Sequence, residues 1–256
     1  MKFKPALKRL YRHYAEVNKL LLPFFPRDYF DQQSKLYKRT LAILSESANR
    51  RSAEFIEKNL ESALLHNWDW EIQEWCAREI RNKSSIEDLC LEFGVWYGRS
   101  INRLSSIASS QKWYGFDTFN GLPSDWYGTN LSAGSLTKSG KLPIVNRNVE
   151  LVVGLFEDTL EKFLLNEINS RRAKIAFIHV DCDVYPSTKF LLEKILCDGT
   201  LYPEDGILVL FDEFFGYPGW EHGEYQAFTE VVSQLNLRVE YLGFSNQQAA
   251  IKVYRN

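Results

Sequence analysis

The chain has 256 residues, 45% of them hydrophobic and 14% aromatic, which suits one large α/β domain with an extension and excludes a disordered chain. Its formal charge of -2 leaves no basic track for a long nucleic acid. No run approaches the roughly 18 apolar residues of a membrane span, since Leu20–Pro26 is short and holds two prolines.

Near the start, Lys8, Arg9 and Arg12 are followed by no apolar core of a secretory leader. The basic stretch Lys2–Arg12 reads as a solvated helix face, with a membrane surface, partner or acidic substrate as alternatives. Residues 1–84 contain no glycine and read as a helical N-terminal extension. Within it, Ser45–Leu65 carries Ile56, Leu60 and Leu64 at helical spacing, and a second helix runs from Trp68 to Ile80. Three roles are open to this extension: packing on the core, forming a homo-oligomer interface, or covering the active site of a neighbouring subunit. The cysteines Cys76, Cys90, Cys182 and Cys197 have neither disulfide nor zinc spacing, so a reducing cytoplasm is the expected location.

From residue 85 strands alternate with helices. The predicted strands are Leu89–Phe93, Trp113–Phe116, Leu151–Val153, Ile175–Val180 and Ile207–Phe211. Helices are expected over Ser100–Ile107, Leu160–Ile168, Thr188–Leu196 and Tyr225–Leu235. Two closing strands, Val239–Leu242 and Ala249–Tyr254, have no helix between them and should pair antiparallel as an edge hairpin. The expected fold over residues 85–256 is therefore α/β, a doubly wound and mostly parallel seven-stranded sheet covered on both faces. Gly121–Asn148 is rich in Gly, Ser, Pro and Asn and reads as an active-site lid or binding loop.

Glu92-Phe93-Gly94-Val95-Trp96-Tyr97-Gly98 closes a strand and opens a helix. Gly94 permits the sharp turn, Gly98 a close approach, and Ser100 is placed to cap the helix. Asp117, 23 residues after Gly94, ends the next strand, where an acid grips ribose hydroxyls in doubly wound nucleotide sites. Glu92 stands where a dinucleotide fingerprint needs its first glycine, and its charge would repel a pyrophosphate. No G-K-[ST] follows. S-adenosylmethionine carries no phosphate but a sulfonium and an ammonium, and an acid there favours it.

His179-Val180-Asp181-Cys182-Asp183 and Phe211-Asp212-Glu213 leave two strands at the edge where open α/β sheets bind ligands. Carboxylates so gathered repel one another unless hydrogen bonds, shifted pKa values or a cation compensate, and oxygen donors suit Mg²⁺. Asp181, Asp212 and Glu213 are the expected ligands. Asp183 is then free as base, with His222 as the second candidate. The metal would orient and acidify a substrate hydroxyl. His179 is open between a site residue and a core histidine, Cys182 reads as packing, and Ser187 as a helix cap.

The runs Leu91–Trp96, Gly115–Pro123, Phe156–Leu160 and His179–Thr188 together resemble the macrocin O-methyltransferase (TylF/MycE-like) family, over roughly residues 85–215. The resemblance implies a class I methyltransferase fold and a Mg²⁺-dependent O-methyltransferase of sugars or other hydroxylated small molecules in natural-product pathways. It implies Glu92, Gly94 and Asp117 as cofactor contacts, Asp181, Asp212 and Glu213 as metal ligands, and Asp183 as base. The family has two adjacent aspartates where this chain has Asp212-Glu213, and Ser124–Asn148 departs from its substrate region. A metal-independent methyltransferase and a binding protein that retains the fold without catalysis stay open beside this reading.

Overall fold

The computed structural model describes residues 27–171 and 173–256; Lys2–Arg12 and Leu20–Pro26 lie outside the described residues. The chain forms two compact units, Met1–Ser47 and Ala48–Asn256. Residues 48–84, expected to belong with the N-terminal extension, thus fall in the unit that holds the sheet.

The helices are α1 (Arg27–Asn59), α2 (Asp69–Lys83), α3 (Arg99–Ile107), α4 (Phe156–Arg171), α5 (Tyr185–Leu196) and α6 (Glu224–Leu235). The strands are β1 (Leu64–Leu65), β2 (Leu89–Phe93), β3 (Lys112–Asp117), β4 (Val149–Val153), β5 (Ile175–Val180), β6 (Ile207–Phe211), β7 (Arg238–Phe244) and β8 (Ala249–Tyr254). They form one sheet in the order β1-β7-β8-β6-β5-β2-β3-β4. β8 runs antiparallel to both β6 and β7, and the other pairings are parallel.

The sheet is buried on both faces because its central strands carry apolar residues at odd and even positions alike. In β2, Leu89, Leu91 and Phe93 join Leu160, Leu191 and Phe228, from α4, α5 and α6. Cys90 points the other way, to Ile72, Cys76, Ile101 and Leu104 of α2 and α3. Each such fully buried aliphatic or aromatic side chain contributes about 1.5–3 kcal/mol relative to exposure.

Two expectations are corrected at the N-terminal side. The helix expected to reach Leu65 stops at Asn59, and Leu64–Leu65 forms a parallel strand against Gly243–Phe244 of β7. The His66 N–H continues that ladder to the Phe244 carbonyl at 2.8 Å. The backbone hydrogen bonds outweigh the apolar spacing there, and the sheet has eight strands rather than seven, with β1 outside the closing hairpin. Helix α5 begins at Tyr185, three residues earlier than expected, with Val184 as its N-cap and a proline in its first turn.

The end of α1 braces the loop beyond β6. Phe55 packs against the rings of Phe214, Phe215, Trp220, Tyr225 and Tyr241 at centroid distances of 5.3–6.1 Å. The Gly216 N–H donates to the Ser52 hydroxyl at 3.0 Å, and Arg51 pairs with Glu221.

From β2 the chain winds outward through β3 and β4 on one side, and through β5 and β6 on the other. Ligands bind in such sheets at the carboxyl ends of strands flanking this reversal. The backbone keeps those ends in step: Gly94 donates to Phe116, Asp181 to Phe93, and Asp212 to Val180, each at 2.9 Å. Gly94 has φ +95°, and a Cβ there would lie 1.7 Å from the Asp181 carbonyl oxygen. Gly94→Ala should therefore cost more than about 3 kcal/mol in urea unfolding, from positive φ and the clash together. A shift of under about 1 kcal/mol would mean that the neighbouring turn yields freely.

Candidate active site

A cavity of about 320 Å³ opens at these carboxyl ends, within the ~300–1,000 Å³ of small-molecule sites. Gly94 and Trp96 follow β2, Asp117 and Thr118 end β3, and Leu155, Phe156 and Glu157 follow β4. Asp181, Cys182 and Asp183 come from the end of β5, Asp212 and Glu213 from that of β6. Gly121, Leu122, Pro123, Trp126, Leu131 and Leu136, from the segment read as a lid, complete the wall.

Asp117 organises the turn after β2. Its Oδ2 accepts from the N–H groups of Val95 at 2.9 Å and Trp96 at 2.8 Å, and its Oδ1 accepts from Phe119 N–H at 2.6 Å. Trp96 and Phe119 adopt φ of 45° and 55°, so the carboxylate holds backbone conformations that non-glycine residues rarely take. The lid is ordered by its own backbone bonds, Leu122 N–H to Ser135 at 2.9 Å and Gly134 N–H to Leu122 at 2.8 Å. Lys138 Nζ stands 3.9 Å from the Tyr97 ring centroid and joins lid to turn.

Four expected site residues are not brought to the cavity wall. Glu92 is fully buried beneath it; Oε1 accepts from the Ser100 hydroxyl at 3.0 Å, and Oε2 lies 2.8 Å from His179 Nδ1. Gly98, at φ 73°, is the N-cap of α3, the place expected for Ser100. Ser100 falls inside the first turn and serves Glu92 instead. His222 is exposed on a 3-10 turn, with its ring 5.0 Å from that of Tyr127. Conversely, Cys182 and Ser187, read as packing and cap, do line the cavity.

The acids form two close triples that share Asp181: His179, Asp181 and Asp212, and Asp181, Asp183 and Glu213, each with ligand atoms within 4.8 Å of one another. The expected set of Asp181, Asp212 and Glu213 is thus divided between them. Burial, then the Asp212 charge, pushes the Asp181 carboxyl well above the usual range. The same two causes raise Glu213. Burial, followed by Asp212 and Asp117, pushes Asp183 up to about 7. Burial also works to raise Asp212, but its interaction with the His179 imidazole, whose Nε2 lies 3.5 Å away, outweighs that and holds the carboxyl low. Gln248 also donates to Asp212. Oxygen donors crowded in this way, with Glu213 Oε2 buried and lacking a hydrogen-bond partner among the described residues, fit a divalent cation.

Sequence reasoning missed Glu224. It is fully buried at the start of α6, and its Oε2 accepts from Glu213 N–H at 3.3 Å. Only an acid at a helix N-terminus signals it in the sequence. Gln248 was missed as well, because it reaches the site across the sheet from the loop before β8.

The strand order and the cavity at the reversal define an α/β fold of the class I methyltransferase type, the S-adenosylmethionine-dependent class. A family profile described as a methyltransferase domain matches residues 91–213, from β2 through Glu213. No curated protein matches the chain. Among solved structures, the S-adenosylhomocysteine-bound methyltransferase PaMTH1 of Podospora anserina is similar at 16% identity, covering 82% of this chain and 96% of that one, with a TM-score of 0.43. Human N-acetylserotonin methyltransferase in complex with S-adenosylmethionine gives 13%, 73%, 53% and 0.40 in the same order. An O-methyltransferase family protein of Burkholderia thailandensis gives 10%, 73%, 57% and 0.37. The fold assignment rests on the strand order and the family match, not on these distant structures.

Proposed function

We propose that the protein transfers a methyl group from S-adenosylmethionine to a hydroxyl of a small molecule, such as a sugar moiety or natural product, in the manner of the macrocin O-methyltransferases it resembles. The observation that carries this reading is one cavity holding both the Asp117-clamped turn and the carboxylates of Asp181, Asp183, Asp212 and Glu213.

In this reading the turn at Gly94–Trp96 and Asp117 hold the cofactor, with Asp117 accepting from a ribose hydroxyl through the lone pair left on Oδ1. S-adenosylmethionine supplies an electrophilic methyl on a sulfonium. Asp181 is the shared ligand for a divalent cation, Mg²⁺ by the family resemblance, flanked by Asp212 and Glu213; such an ion supplies Lewis acidity toward a substrate hydroxyl. Asp183 takes the hydroxyl proton. Trp126, Leu131 and Leu136 exclude water above the acceptor and, with the rest of the lid, select it. We assign the activity to the unit Ala48–Asn256 and place the protein in the cytoplasm. Homo-oligomer formation through the N-terminal helices belongs to the same proposal.

Titration calorimetry with S-adenosylhomocysteine tests the cofactor assignment. Asp117→Ala should weaken binding by about 1.5–3 kcal/mol, or about ten- to a hundredfold, with divalent-cation binding retained. Equal affinity in variant and parent would remove Asp117 from the cofactor site, and a folded parent that binds no S-adenosylhomocysteine would remove the transferase reading.

A further inference from the structure

His179 of β5 lies in register opposite Glu92 of β2, and both side chains are fully buried. Glu92 Oε1 already accepts from Ser100, and Oε2 lies 2.8 Å from His179 Nδ1. An ionised carboxylate needs a donor there, so Nδ1 carries a proton and Nε2 is the nitrogen left to meet Asp212 or a cation. That Nε2 has no hydrogen-bond partner among the described residues. It faces Asp181 and Asp212, with Asp212 Oδ1 at 3.5 Å and the three ligand atoms within 4.8 Å of one another.

Nε2 converging with two carboxylates calls for positive charge among them, supplied by a proton on the imidazole or, in its place, by a metal ion. An imidazole whose far nitrogen donates to a buried carboxylate is also the usual surrounding of a metal-bound histidine. The geometry points to a mixed nitrogen–oxygen site, formed by His179 Nε2, Asp181 and Asp212, for a divalent transition ion, with Glu92 as a positioning residue. The inference rests on the proposed cation at Asp181 and changes its ligand set. Mg²⁺ takes oxygen donors and gains little from an imidazole, whereas Mn²⁺ and Co²⁺ accept both, with Co²⁺ the tighter. Siting the ion on the His179 side leaves the Asp183 carboxylate uncommitted, as a proton acceptor requires.

The test is Mn²⁺ titration of the full chain with S-adenosylhomocysteine present, read by calorimetry and by pulsed electron paramagnetic resonance. We expect nitrogen hyperfine modulation from a directly bound imidazole in the parent. It should disappear in His179→Gln, together with a loss of Mn²⁺ affinity of at least about tenfold. Glu92→Gln should lower Mn²⁺ affinity by about 10–100-fold and leave S-adenosylhomocysteine affinity unchanged, which a merely structural role would not separate. If either variant fails to fold, the parent spectrum decides alone. Mn²⁺ bound without nitrogen modulation overturns the His179 site and leaves a cation on the all-oxygen triple of Asp181, Asp183 and Glu213. Absence of Mn²⁺ binding overturns both the site and the proposed cation. Nitrogen modulation without S-adenosylhomocysteine binding upholds the site and overturns the transferase reading instead.

Discussion

Asp183→Asn should lower kcat by about 10²–10⁴-fold while leaving S-adenosylhomocysteine affinity unchanged. Asp183 is buried, sits two residues beyond Asp181, and holds φ at 67°, a conformation that costs about 1–3 kcal/mol and persists only where the surroundings enforce it. Burial, then Asp212 and Asp117, lift its carboxyl to about 7. Only the ionised form accepts a proton. Turnover should therefore fall as pH drops through that value, giving an acid limb in the pH profile of kcat. A bound cation favours the ionised form and moves the limb to lower pH. The asparagine variant has no such group, so its residual rate should lose the limb. A variant with parental kcat on the acceptor that the parent methylates, or with the limb intact, would assign the base elsewhere.

Asp181→Asn carries the second large effect, because Asp181 alone belongs to both triples. Its loss should weaken divalent-cation binding by more than the roughly 10–100-fold that follows removal of an outer partner. Stability should hold or rise, since the substitution preserves shape and removes a buried carboxyl that repels Asp212, Asp183 and Glu92. Mn²⁺ calorimetry and urea unfolding on one preparation separate the two readouts. Unaltered Mn²⁺ affinity would move any cation away from the strand ends of β5 and β6.

The parts of the fold legible in the sequence are short runs in which nearly every residue is apolar. β2, β5, β6 and β8 occupy Leu89–Phe93, Ile175–Val180, Ile207–Phe211 and Ala249–Tyr254, as their apolar runs indicate. The two-residue β1 was hidden, since its pairing with Gly243 and Phe244 is a long-range backbone event that leaves no local pattern. The carboxylates at the strand ends were legible as a group because a parallel sheet sends such residues to one edge. Their grouping was not, for it depends on side-chain directions across two strands. Glu92 illustrates the limit. The glycine turn marks it as a cofactor contact, yet strand alternation turns its side chain beneath the sheet edge toward His179, a neighbour 87 positions away. His222 attracted attention only by its chemistry, and its turn leaves it exposed.

Phe55 binds the two ends of this unit into one mutational neighbourhood. Its five aromatic neighbours include Phe214 and Phe215, which directly follow the pair Asp212-Glu213. A smaller residue at 55 would free those rings to repack and let the acid-bearing loop drift, so the defect would register in the reaction before the protein lost its fold. Substitutions accepted at Ser52 and Phe55 must therefore be matched at Phe214, Gly216 and Trp220. Related chains should exchange these positions as a set, and evolutionary change in a helix that contributes no atom to the cavity is governed by the chemistry within it.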